Sequence, residues 1–238
     1  MKTTEELSRA QIFLHEEITK VANENGCIKK DLKPIYDGIA DFTAYIESSP
    51  KVMWILKEPY DYLDEKGNPC GGGYVLFEDL KSLPNTPLDI KLPRTLQRII
   101  YATRGFFSND EYDDMGWYDE AEMYKYLLQI AYVNISKMPA YSSSGNMASK
   151  YQIWKPIILK QIQVYNPDIL VFGHTFEYMR NDLEIKEENL IHSERGWVDI
   201  YQKREKLYVD TYHPGIRGYE RQYVNSLIDS VRKSIIKK

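Results

Sequence analysis

Short, unbroken apolar runs separated by stretches of helical period dominate the chain. Val52-Met53-Trp54-Ile55-Leu56 is one such run, and residues 130–135, 169–172 and 207–211 repeat the pattern. A strand buried on both faces shows no polar alternation, so these four runs predict a parallel sheet covered on each side. The intervening stretches carry the helices. Thr3-x-x-Glu6 forms a capping box, after which Leu7, Ala10, Leu14, Ile18 and Val21 share a face until Gly26. Pro34 opens a second expected helix, with Ile35, Ile39, Phe42 and Ile46 on one side, stopped by Ser48-Ser49-Pro50. Residues 94–104, 118–129 and 150–165 read as further helices, the last striped by Trp154, Ile157, Ile158 and Ile162. Val224, Leu227, Ile228, Val231 and Ile235 define a closing helix, and residues 197–201 and 207–211, either side of a charged turn at 202–206, predict a hairpin. Strands alternating with helices predict a three-layer α/β/α fold with a mainly parallel central sheet. One domain is expected over residues 1–238, with residues 1–49 as a helical extension packed on it.

Composition narrows the picture modestly. The chain has 238 residues, 43% apolar and 28% charged, an ordinary balance for a protein with a sizeable core. No apolar stretch is long enough for a membrane span, and the N-terminus turns polar without the apolar core of a signal peptide, so a cytoplasmic protein is expected. Two cysteines, Cys27 and Cys70, cannot supply a structural zinc or an iron–sulfur cluster, and reduced thiols are expected. A net charge of −4 argues against a strong duplex-DNA grip, which draws on phosphate neutralisation. Charge is unevenly spread, however: residues 105–124 hold seven acids and no Lys or Arg, whereas the segment from Arg217 holds six basic residues against two acids. The 20 tyrosines and four tryptophans are read mainly as core and half-buried surface, although aromatic rings also stack on bases.

In open parallel sheets ligands bind beyond the carboxyl ends of the strands. Four strand exits therefore carry the candidate chemistry: Lys57-Glu58-Pro59-Tyr60, Asn134-Ile135-Ser136-Lys137, Gly173-His174 and Tyr212-His213-Pro214-Gly215. A carboxylate at Glu58 can orient water or stabilise a developing cation, or it can serve only in a cap or salt bridge. Asn134 offers a donor and an acceptor to an amide-like edge, or it merely stabilises a turn. His213 lies in a loop with Pro214, Gly215 and Gly218, while His15 and His192 read as structural and His174 as a helix cap. Other chemistries lack their motifs. No Gly-x-Gly-x-x-Gly or Walker loop follows a strand, Gly71-Gly72-Gly73 has no phosphate-binding lysine, and neither a Gly-x-Ser-x-Gly elbow nor a His-Glu-x-x-His pair occurs. No cofactor and no metal are expected.

Taken in order, these exits resemble the motifs of the uracil-DNA glycosylase superfamily, over roughly residues 50–236. Leu56-Lys57-Glu58-Pro59-Tyr60-Asp61 is similar to its first motif, with Glu for Asp and Leu56 at the glycine. Gly67-Asn68-Pro69-Cys70 resembles its Gly-x-Pro-Phe segment, with Cys70 at the stacking phenylalanine. Ala131-Tyr132-Val133-Asn134 looks like the strand ending in a uracil-reading asparagine, and Asn166-Pro167-Asp168 before the run closing in Gly173 is similar to the helix–Pro–strand–Gly stretch. Thr211-Tyr212-His213-Pro214-Gly215 resembles the terminal His-Pro-Ser motif, with Gly215 for the serine and Arg217 near the wedge position. The resemblance implies cleavage of the N-glycosidic bond of a base flipped out of DNA, single-stranded or mismatched. It implies Glu58 and His213 as catalytic residues and Asn134, Tyr60, Tyr74, Phe77 and Lys57 around the base. Gly215, Ile216 and Arg217 would contact the nucleic acid. A protein that keeps this fold but only binds a nucleobase or nucleic acid is the alternative. Nothing in the sequence speaks to oligomeric state.

Overall fold

The computed structural model describes residues 2–28, 32–59, 64–67, 71–72, 91–140 and 146–236. Helix α1 (Thr4–Glu24) starts at the expected capping box, with the Thr3 side chain accepting from the Glu6 amide and the Glu6 carboxylate from the Thr3 amide. It ends before Gly26, whose φ of 62° suits a residue without a Cβ. Strand β1 (Gly38–Ile39) and helix α2 (Phe42–Glu47) follow, then β2 (Val52–Leu56) and α3 (Arg94–Phe107). A short α4 (Ala121–Tyr124) leads to β3 (Ile130–Asn134), α5 (Met147–Tyr165), β4 (Ile169–Gly173) and α6 (Phe176–Met179). The chain closes with β5 (Leu190–Glu194), β6 (Val198–Lys203), β7 (Lys206–Thr211) and α7 (Glu220–Ile236).

Among the described residues these strands form one seven-stranded sheet in the order β1-β3-β2-β4-β7-β6-β5. Its centre, β3-β2-β4-β7, is parallel throughout; β1, β6 and β5 are antiparallel flanks. Every residue of β2, β3 and β4 is buried, as unbroken apolar runs require. Successive side chains point to opposite faces. Val52, Trp54 and Leu56 pack with α3, α4 and α7, while Met53 and Ile55 pack with α1, α2, α5 and α6. The result is the expected three-layer α/β/α architecture. No helix among the described residues is long and apolar enough to cross a membrane.

Three local expectations change. No helix begins at Pro34: residues 38–39 pair with β3 instead, and α2 starts at its Asp41 cap, whose side chain accepts from the Ala44 amide. Gly38 explains the override. Its φ is 145°, and a Cβ there would lie 2.3 Å from Gln11 Oε1 and 2.4 Å from the Tyr165 hydroxyl. The helix expected over 118–129 contracts to α4 and a following 3₁₀ turn at Lys125–Leu127, which together bury Met123, Tyr124 and Leu127. The hairpin turn tightens to Arg204 and Glu205, Arg204 taking a φ of 57°. Strand β5 was not expected.

Candidate functional site

Leaving β2, the chain passes to β3 on one side; leaving β3, it crosses to β4 on the other. That reversal makes the carboxyl edge between β2 and β4 the topological switch point of the sheet. Register places the exits side by side: Leu56 pairs with Asn134, and Gly173 with Thr211. Beyond the strands, the amides of Ile135, Ser136 and Ala140 donate to the carbonyls of Leu56, Lys57 and Pro59 at 2.7, 2.9 and 3.0 Å. The segments carrying Glu58 and Asn134 therefore run together past the sheet edge. Gly173 brings the third exit in. A Cβ on it would lie 2.4 Å from Leu56 Cδ2, 2.9 Å from Pro214 Cδ and 3.7 Å from His213 Cα. Leu56 and the His213–Pro214 turn thus meet over a residue with no side chain.

Asn134 is 1% exposed, and neither its side-chain nitrogen nor its side-chain oxygen has a hydrogen-bond partner. A buried polar group without a partner destabilises the fold by about 1–3 kcal/mol. Its backbone is the opposite case. The Asn134 amide donates at 2.7 Å to Asp37 Oδ2, and Asp37 is held by Lys137 Nζ at 2.8 Å to each carboxylate oxygen.

His213 is held as a neutral ring. Burial, then the positive charge of Lys57 and the neighbouring His174, push its pKa down to about 4. The Gly215 amide donates to Nδ1 at 3.0 Å, which leaves the proton of the neutral imidazole on Nε2. Gly215 fits this turn closely, since a Cβ would lie 3.0 Å from His213 Nδ1 and 3.1 Å from Thr95 Oγ1. The turn is clamped from α3. Arg98, 2% exposed, donates through Nη1 to Pro214 O at 2.7 Å and to Ile216 O, and through Nη2 to Gly218 O at 3.5 Å.

The Glu58 side chain is 4% exposed and paired with Lys150 near the start of α5. Ile216 packs partly buried against the core beside α7, and Arg217 is exposed. Lys57 is half-buried close enough to bias His213, whereas Tyr60, Tyr74 and Phe77 lie outside the described residues. His174 is not a helix cap: it is exposed with a φ of 60°, and Thr175 takes the cap position, its hydroxyl donating to Ile55 O at 2.8 Å. His15 and His192 are structural, their rings bonded to Asp37 O at 3.1 Å and Ser230 Oγ at 3.0 Å.

Beside the β7 exit lies a cavity of about 270 Å³ bordered by Trp197, Tyr212, Glu194, Asp199 and Asp210. Asp199 and Asp210 face each other across β6 and β7. Burial first, then the charges of Asp199 and Glu177, raise the Asp210 pKa to about 6. This flank is unfavourable to phosphate; basic groups beside the His213 turn include Lys57 and the buried Arg98. No group of three or more His, Cys, Asp or Glu side chains among the described residues is arranged to hold a metal ion.

Sequence reasoning missed Asp37, Gln161 and Arg98, and passed over the role of Lys137. A signal existed for two of them. Lys137 stands between the apolar Ile135 and Met138, and Arg98 interrupts the apolar face of α3. Asp37 was hidden by the expected helix.

The fold is a three-layer α/β architecture, and Glu58, Asn134 and His213 lie at or just past strand ends along the carboxyl edge of its parallel sheet. No protein-family model matches the chain, and no curated protein sequence does. Among solved structures, the chain is similar to the uracil-DNA glycosylase of mimivirus at 16% sequence identity and a TM-score of 0.33. That alignment covers 76% of this chain and 64% of the viral one, so the chain spans less than two thirds of that protein's length.

Proposed function

We propose that the carboxyl-edge site receives a flipped-out uracil or related base and that the protein cleaves its N-glycosidic bond. The observation that carries this reading is the Asn134 carboxamide, buried with its donor and its acceptor both unpaired. An adjacent donor and acceptor match the imide edge of a pyrimidine, which presents an N–H beside a carbonyl. A ligand that satisfied both atoms would remove the penalty their unpaired state carries.

The neighbouring groups suit the bond cleavage. As the bond between the sugar C1′ and the base nitrogen breaks, its electron pair leaves with the base and the sugar becomes cationic. Glu58, a buried carboxylate, would stabilise that cation and orient the water whose oxygen bonds to C1′. His213, neutral with its proton on Nε2, would donate a hydrogen bond to the oxygen on which negative charge collects. The water's proton ends on the released base. Extrusion of the base demands little when the strand is already single or mismatched, which fits a protein of net charge −4.

A second reading, a non-catalytic binder of the same base, is favoured by the Lys150–Glu58 pair, which neutralises the carboxylate the reaction would use. Incubation with a single-stranded oligonucleotide containing one deoxyuridine separates the two. Release of free uracil, reduced about 10²-fold or more in Glu58→Gln and His213→Ala, supports the enzyme. Binding without release supports the binder.

A further inference from the structure

Behind Asn134 lies a polar cluster with no access to solvent: Asp37, Lys137 and Gln161 are 1%, 0% and 0% exposed. Lys137 Nζ donates at 2.8 Å to both Asp37 oxygens and to Gln161 Oε1, which uses all three of its protons. Gln161 Nε2 returns a 2.8 Å bond to Asp37 Oδ1, and the Asn134 amide completes the set at Oδ2. The three residues come from distant parts of the chain: the residue before β1, the loop after β3, and α5. Every side-chain nitrogen and oxygen of this inner cluster has a partner, whereas neither polar atom of the Asn134 carboxamide has one.

A buried ion pair is weak support for stability, because apolar side chains of similar volume hold a fold as well or better. A fully satisfied network does supply rigidity and a unique geometry. Here it grips the one backbone amide that sets where the unpaired carboxamide stands. We infer that Asp37, Lys137 and Gln161 are positioning residues that hold Asn134 in register for the imide edge of the base. The inference rests on Asn134 being the base-reading residue. It makes the segment before β1 a functional part of the site, although that segment carries no group of its own toward the base.

The test is discrimination between uracil and 3-methyluracil, whose imide N–H is replaced by a methyl group, measured by ligand-observed NMR titration of the full chain. Wild type should prefer uracil by about 10²-fold, since a site built around a hydrogen bond rejects the ligand lacking it. The variant Asp37→Leu/Lys137→Met/Gln161→Leu removes both charges together but leaves the Asn134 amide without its acceptor, so it should fold with a Tm lowered by about 2–12 °C. Its preference should fall by about 10-fold or more, because misplacement on the scale of an ångström forfeits most of a positioned contact. A folded triple variant with undiminished preference overturns the inference. If the triple variant does not fold, Gln161→Met decides: it keeps the ion pair and the Asn134 bond but loosens the lysine. A roughly 3-fold loss of preference there supports the inference, and an unchanged ratio overturns it. Asn134→Ala distinguishes the two levels. If it loses discrimination while the network variants keep it, base recognition stands and only the positioning role fails. If wild type itself does not discriminate, both fall.

Discussion

Replacing Asn134 with leucine should make the protein more stable while abolishing the base binding proposed for it. The wild-type side chain is 1% exposed and has two polar atoms with no partner. Each such group destabilises the folded state by about 1–3 kcal/mol relative to a paired or solvated one. Leucine has nearly the same shape and no polar atoms, so the substitution removes both penalties and adds apolar burial. Its slightly larger volume in a packed strand end offsets part of this gain, by about 1 kcal/mol. The net expectation is about 2 kcal/mol of stabilisation, or a Tm higher by about 4–8 °C for a domain of this size. Thermal unfolding followed by circular dichroism, with urea denaturation at an unchanged m value as a check, measures it directly. Functional sites are where a protein gives up stability, so a gain here joined to lost uracil binding would mark Asn134 as a ligand residue. A loss of about 1 kcal/mol or more would refute the reasoning. It would mean that the carboxamide is hydrogen-bonded in the free protein and serves the fold.

The remaining predictions concern the surroundings of His213 and the sheet edge. The His213 pKa falls from 6.5 to about 4 on folding, so its contribution to stability is complete above pH 6.5 and is lost as pH falls toward 4, by on the order of 3 kcal/mol; His213→Gln should flatten that acid limb in pH-dependent denaturation. Asp210 has the opposite sign, since its pKa rises from 3.8 to about 6: stability is lost as pH rises through that window, and Asp210→Asn should gain about 1 kcal/mol above pH 6 after allowance for its partial exposure. Arg98→Lys cannot span the carbonyls of Pro214, Ile216 and Gly218, and should lower stability by about 2–3 kcal/mol and reduce uracil release with His213 intact. Gly173→Ala presses a methyl group against Leu56 and Pro214 and should destabilise by about 1–3 kcal/mol; Leu56→Ala in the same chain should recover part of the loss in a double-mutant cycle.

The central strands were legible because burial on both faces leaves an unbroken apolar run, and β2, β3 and β4 are buried at every residue. Strand β1 was not. Two residues carry no period, and Ile35, Ile39, Phe42 and Ile46 imitate a helix face until Gly38 and the Asp41 cap break it. Strand β5 lacks an apolar run because it is a partly exposed edge. At the candidate site, Glu58, Asn134 and His213 stand out in the sequence as polar residues at or just past the ends of apolar runs. What surrounds them was not. The Lys137–Asp37 contact joins residues 100 positions apart, and whether a lysine amid apolar neighbours is buried depends on a partner that local pattern does not name. The reason for the glycine at 215 is visible only in space: Thr95 and the imidazole leave little room for a Cβ.

The most direct test of the central claim is the release of free uracil from a single-stranded oligonucleotide carrying one deoxyuridine, followed by chromatography of the small-molecule fraction. Release by wild type, reduced about 10²-fold or more in Asn134→Ala and in His213→Ala, is the predicted result. Release that persists in both variants, or none from a wild type that also fails to bind the oligonucleotide, would contradict the account.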